Sequence, residues 1–195
     1  MTPSGQRIVV ACRDRSGTLA TATATVPSVS GLPTITRWHY APYALASSPS
    51  IAVVDDLPTV FALNHQHEVV GIFRGTETRE PWDCRSAPSA SSMGTRAAVA
   101  CAGPHRALIY TVHGSDGWGS MKSVPGVSGP FGPLGRPAIA TTQQGLAFGY
   151  ASTRIRPHES GGALTIVNTS GDNETSQAFP NRRVVRSGVN IAAVG

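Results

Sequence analysis

Three tryptophans in this chain keep polar company of the kind that recognises sugars. Trp38 is followed by His39, Tyr40 and Tyr43. Trp82 lies close to Glu80, Asp83 and Arg85, and Trp118 close to Ser115 and Asp116. A pyranose ring has an apolar C–H face that stacks on an indole, while its hydroxyls need donors and acceptors. That chemistry makes Trp38, Trp82, Asp83, Arg85, Ser115, Asp116 and Trp118 the candidate ligand-binding residues. Each indole has an alternative use as packing between sheets, because one ring buries a large apolar area.

Other reactive types are sparser. His65 and His67 stand two apart in His65-Gln66-His67-Glu68. On a strand they would share a face, as a metal pair needs, but no further ligand follows at a useful spacing. A solvated hairpin turn is the simpler reading. Asp55-Asp56 is a carboxylate pair that reads the same way, as a polar turn. No Gly-x-Ser-x-Gly, phosphate-binding loop or dinucleotide fingerprint is present. No catalytic residue, cofactor or metal is therefore expected. Cys12, Cys84 and Cys101 are odd in number and irregular in spacing, so no disulfide framework is expected. Cys12 and Cys101 read as small buried hydrophobes.

Composition narrows the elements that must hold these residues. The chain has 195 residues, 40% hydrophobic and 14% charged, which is a globular balance of about one domain. Gly 21 and Pro 15 exclude a helical bundle, since neither residue suits a helix interior. The net charge is +5, but its basic residues are scattered apart from Arg182, Arg183 and Arg186. A nucleic-acid backbone needs a contiguous basic stripe, so nucleic acid is not an expected partner. No apolar run is long enough to cross a bilayer as a helix. The stretch from Met1 to Ile8 has no signal-peptide core, and the compartment is left unassigned.

The chain also repeats itself. Ile8-Val9-Val10-Ala11-Cys12, Ile51-Ala52-Val53-Val54-Asp55, Ala97-Ala98-Val99-Ala100-Cys101 and Ala138-Ile139-Ala140-Thr141-Thr142 are alike. Ala11, Val54, Ala100 and Thr141 stand 43, 46 and 41 residues apart. A partial copy, Ile191-Ala192-Ala193-Val194, comes last. Each full copy continues through a turn into a second β-rich run, at residues 19–26, 60–63, 108–112 and 146–150. Further strands are expected at 34–40, 69–74, 118–124 and 163–167. An aromatic, Trp38, Trp82, Trp118 or Phe179, closes each unit. Short strands at a period in the forties describe the blades of a β-propeller, whose sheets shield one another around an axis. The expected fold is thus all-β, one domain over 1–195, with four repeats (7–49, 50–95, 96–135 and 136–188) and an extra inner strand in 189–195. A β-sandwich or jelly roll is the alternative.

The stretch Gly117-Trp118-Gly119-Ser120-Met121, continuing through Val124-Pro125-Gly126 to Gly135-Arg136-Pro137-Ala138-Ile139-Ala140, resembles the blade junctions of bacterial and fungal lectin-like propellers. Trp38 followed by Ser48-Pro49-Ser50-Ile51-Ala52-Val53 looks like the same junction. In that family a Trp closes one blade and a Pro-apolar-Ala run opens the next. The resemblance implies a propeller and a non-enzymatic glycan-binding role. Two departures stand beside it. The polar residues differ between repeats, which argues against one sugar site copied in every blade. Gly114-Ser115-Asp116-Gly117-Trp118 does not match the Asp-box of sialidase propellers. Two other functions fit the same pattern. One is an assembly subunit whose open blade edge pairs with another copy or a second polypeptide that completes the ring, so that the isolated chain is not a stable monomer. The other is part of a propeller glycoside hydrolase.

Overall fold

The computed structural model describes residues 6–26, 34–35, 37–143, 145–156, 159–167 and 176–181, with side chains from Ile8 to Ser152. The sequence copy at 191–194 and the arginine group at 182–186 lie outside the described residues. The fold is all-β, and every sheet is antiparallel. The first sheet holds β1 (Gln6–Arg13), β2 (Thr18–Val26), β3 (Thr34–Ile35) and β4 (His39–Ala44). The second holds β5 (Ser50–Val54), β6 (Leu57–Leu63), β7 (Val69–Phe73) and β8 (Thr76–Glu80). The third holds β9 (Ser89–Met93), β10 (Arg96–Ala102), β11 (Leu108–Gly114), β12 (Gly117–Trp118) and β13 (Lys122–Ser123). The fourth holds β14 (Ala138–Thr142), β15 (Gly145–Arg156), β16 (Glu159–Val167) and β17 (Ser176–Asn181). Two 3-10 turns, Pro104–Arg106 and Gly129–Phe131, are the helical elements among the described residues.

Alternation along the strands explains how the sheets stack. In the second sheet, Val60, Ala62, Val70 and Ile72 point to one side and pack with Leu19 and Leu45 of the first-sheet segment. Phe61, Leu63 and Val69 point to the other side and meet Ala97, Val99, Cys101 and Ile109 of the third sheet. Ala98, Ala100, Leu108 and Tyr110 then meet Ile139, Leu146, Phe148 and Tyr150 of the fourth. The middle sheets bury both faces, which is why β6, β7, β10 and β11 read as nearly unbroken apolar runs. A two-layer sandwich buries one face of each sheet, so this series of layers departs from the sandwich alternative.

The sheet order corrects the repeat phase. Ala97-Ala98-Val99-Ala100-Cys101 is not a first strand; it lies in β10, the second strand of its sheet. The first strand there is the polar Ser89–Met93. Its serines explain the change. Ser92 Oγ accepts from Val53 N–H at 2.7 Å, and Ser50 Oγ accepts from Ala90 N–H at 3.0 Å. Ser91 Oγ accepts from Thr141 N–H at 3.1 Å. First strands therefore lie side by side across sheets, and hydroxyls occupy edge amides that would otherwise lack a partner. The unit starting at 96 consequently starts at Ser89.

The same phase question touches β1. Arg7-Ile8-Val9-Val10-Ala11-Cys12 matches Arg96-Ala97-Ala98-Val99-Ala100-Cys101 at Arg, Val, Ala and Cys, so β1 has the sequence of a second strand. Unlike β6, β10 and β15, it pairs among the described residues with β2 alone. Among the described residues the first sheet is also one position narrower, since β3 and β4 share the same neighbour, β2.

Cys84 and Cys101 form a disulfide, which corrects the expectation of unbridged cysteines. Their Cα atoms are 5.9 Å apart, and both residues are buried. The bridge belongs to a recurring clamp: the segment leaving one sheet bonds the second strand of the next. Ala46 N–H donates to Leu63 O at 2.7 Å, Arg85 N–H to Ala102 O at 2.7 Å, and Leu134 N–H to Ala151 O at 2.8 Å. Ser47 and Ser86 repeat the device, each accepting from the amide of Leu63 or Ala102 at 2.9 Å. Spacing hid the bridge because its partners meet only after the chain has crossed between sheets.

Candidate functional site

The tryptophans do not share one environment. Trp82 is 7% exposed and belongs to the core between the second and third sheets. Trp118 packs edge-on against it, with ring centroids 5.5 Å apart. Phe61 at 5.7 Å and His113 at 4.5 Å complete an aromatic cluster around Trp118. The Trp118 indole N–H donates to Thr78 Oγ1 at 3.1 Å, which meets the need of its one polar atom. Gly71 leaves room for this arrangement. A Cβ there would lie 3.1 Å from Trp118, 3.2 Å from Thr78 Oγ1 and 3.3 Å from His113.

The polar candidates stay at the surface on separate partners. Arg85 and Asp83 form an ion pair at 2.7 Å, both exposed. Asp116 meets Arg96 at 3.6 Å, and Ser115 is exposed in the same turn. Exposed pairs of this kind contribute on the order of 0–1 kcal/mol. Trp38 is 39% exposed. The structure thus brings Trp82 and Trp118 together as packing, and Trp38 is not among the residues that line the open groove to which its neighbours Arg37 and His39 contribute.

That groove lies between the first and second sheets and encloses about 850 Å³. Val9, Ala22, Ile51, Val60 and Ile72 give it an apolar floor, and Thr21 and Thr23 add hydroxyls. His39 and Thr21 are register partners on β4 and β2, so both face the same way. Arg37, His39 and Tyr43 come from one wall, and Asp56 and Arg74 from the other. Two hairpin turns set the second wall. Asp55 and Asp56 have φ of 46° and 60°, and Arg74 and Gly75 have φ of 52° and 76°. Positive φ at both central residues is the mark of a type I′ turn, whose twist suits a hairpin. The Tyr43 hydroxyl donates to Gly75 O and ties the two walls together. Asp55-Asp56 is therefore a hairpin turn that presents one carboxylate, Asp56, to the groove.

His39 and Tyr43 were legible as members of an aromatic group. Arg37 and Arg74 were not, because they stand far apart in the chain and meet only across two sheets. His65 and His67 lie exposed in a turn closed by Asn64, whose Oδ1 accepts from the amides of Gln66 and Glu68 at 2.9 Å each. Among the described residues, no three His, Cys, Asp or Glu side chains cluster. No described helix is long and apolar enough to cross a membrane.

Titration behaviour is distinctive at His113. Burial pushes its imidazole below the ordinary value, and the Asp116 carboxylate opposes this more weakly. No protein-family model matches this chain, and comparison with the curated proteins finds no match either.

Proposed function

We propose that this chain is a non-enzymatic glycan-recognition module built from propeller-type blades, with its ligand seated in the groove between the first and second sheets. The observation that carries the reading is the groove itself. It combines an apolar floor with threonine hydroxyls, a tyrosine, an imidazole and two guanidinium groups on its walls. Few polar groups placed over an apolar surface suit a ring that is apolar on its faces and hydroxylated at its rim. The serial stacking of sheets and the repeated clamps support the blade arrangement. Asp56 is the one carboxylate among the described lining residues, whereas glycoside hydrolysis by the usual route takes two. The hydrolase alternative has less support for that reason.

The test is a glycan-array screen of the whole chain and of two groove-filling variants, Thr21→Trp and His39→Trp. The expected result is a set of bound glycans whose signal disappears in both variants. A blank array overturns glycan recognition, and binding retained in both variants overturns the placement in the groove.

A second reading is favoured by the edge of β1. A strand with second-strand sequence and one described neighbour offers its other edge to a further strand, and Ile8 and Val10 there are 45% and 37% exposed. Edges kept free of partners usually carry charges or proline, which these positions lack. The same module then has an assembly role, in which a second copy or another polypeptide pairs with β1.

A further inference from the structure

We infer that the groove selects saccharides bearing a carboxylate. This rests on the glycan reading above and goes beyond it by naming the charge of the ligand. Arg37 and Arg74 line the groove on opposite walls, with Asp56 the single opposing charge among the described lining residues. The ion pairs among the described residues are Arg79–Glu77, Arg85–Asp83 and Arg96–Asp116; neither groove arginine takes part. Both are exposed, so each keeps a planar fork of donors that fits a carboxylate in two-pronged fashion.

The turn that carries Arg74 is fixed by its own geometry. The Arg74 backbone sits in the left-handed region, uncommon for a side chain of this size, and Tyr43 anchors the adjoining Gly75 carbonyl. A guanidinium is thus stationed at a hairpin turn where glycine or asparagine would fit more easily. His39 adds a ring donor on the opposite wall. A uronic acid and a sialic acid offer the same recognised chemistry, an ionised carboxylate on a hydroxylated ring.

Calorimetric titration with matched probes separates the possibilities. The pairs are tetragalacturonate against its methyl ester, and sialyllactose against lactose. The expected result is binding of at least one acid with roughly tenfold preference over its neutral partner, weakened by added salt and lost to a similar degree in Arg37→Gln and Arg74→Gln. Arg79→Gln, an exposed change outside the groove, leaves affinity unchanged. Which acid binds distinguishes a uronate from a sialate. Equal binding of the acid and neutral partners overturns carboxylate selection and leaves glycan recognition standing. Failure of every saccharide, acidic or neutral, removes both.

Discussion

At the scale of single residues, the least expected group is His113. It is 1% exposed, its Nε2 lies 3.3 Å from Thr78 Oγ1, and its Nδ1 is buried without a hydrogen-bond partner. The ring is therefore held neutral, and its edge contacts with Phe61 and Trp118 make it part of the packing. The pH dependence follows from linkage. In the unfolded chain the imidazole takes up a proton near about 6.5. In the fold it does so only at lower pH, because burial disfavours the charge. Below about 6.5 the unfolded state binds more protons, so stability declines as pH falls toward the folded value. The melting temperature is expected to drop through that window and to drop less steeply in His113→Gln. An identical pH slope in the variant would place the titration elsewhere. Nothing in the local sequence marked this residue: His113 lies near the end of an ordinary strand, and its setting is made by its cross-strand partner Trp118 together with Thr78 and Phe61 from the second sheet.

At the scale of elements, the connections between sheets do more than link strands. The segment after β8 carries Trp82 into the core, bridges Cys84 to Cys101, and bonds Arg85 N–H to Ala102 O. The cysteines are 17 residues apart in sequence, a loop for which cross-linking contributes roughly 3 kcal/mol. The double variant Cys84→Ser, Cys101→Ser is expected to lose about that much in urea unfolding. Thiol labelling of the denatured, unreduced protein should mark Cys12 alone; three reactive thiols would show that the bridge is absent. The strands themselves were largely legible. Residues 19–26, 60–63, 108–112 and 146–150 all fall in strands, because two-sided burial demands apolar β-formers. The third first strand was not legible. Ser89–Met93 is polar since its hydroxyls serve neighbouring backbone amides, and an apolar search passes over such a strand in favour of β10.

At the scale of the whole molecule, the four sheets of the described residues pack in series, and the first is narrower than the rest among those residues. On the assembly reading proposed above, its β1 edge is the surface that pairs with another chain. The chain is expected to sediment above the mass of one polypeptide at tens of micromolar, and Val10→Lys to return it toward a single chain. A single-chain mass at every concentration, for both proteins, would remove the assembly reading and leave glycan recognition untouched. The sequence by itself determined the all-β class and most of the strands, because burial on both faces and turn chemistry are written locally. Tertiary structure alone decided which strand begins the third sheet, which cysteines join, that Trp82 and Trp118 pack against each other, and that Arg37 and Arg74 line one groove. Those are meetings between residues distant in the chain, and their partners are chosen by how sheets stack, which no short stretch of sequence records.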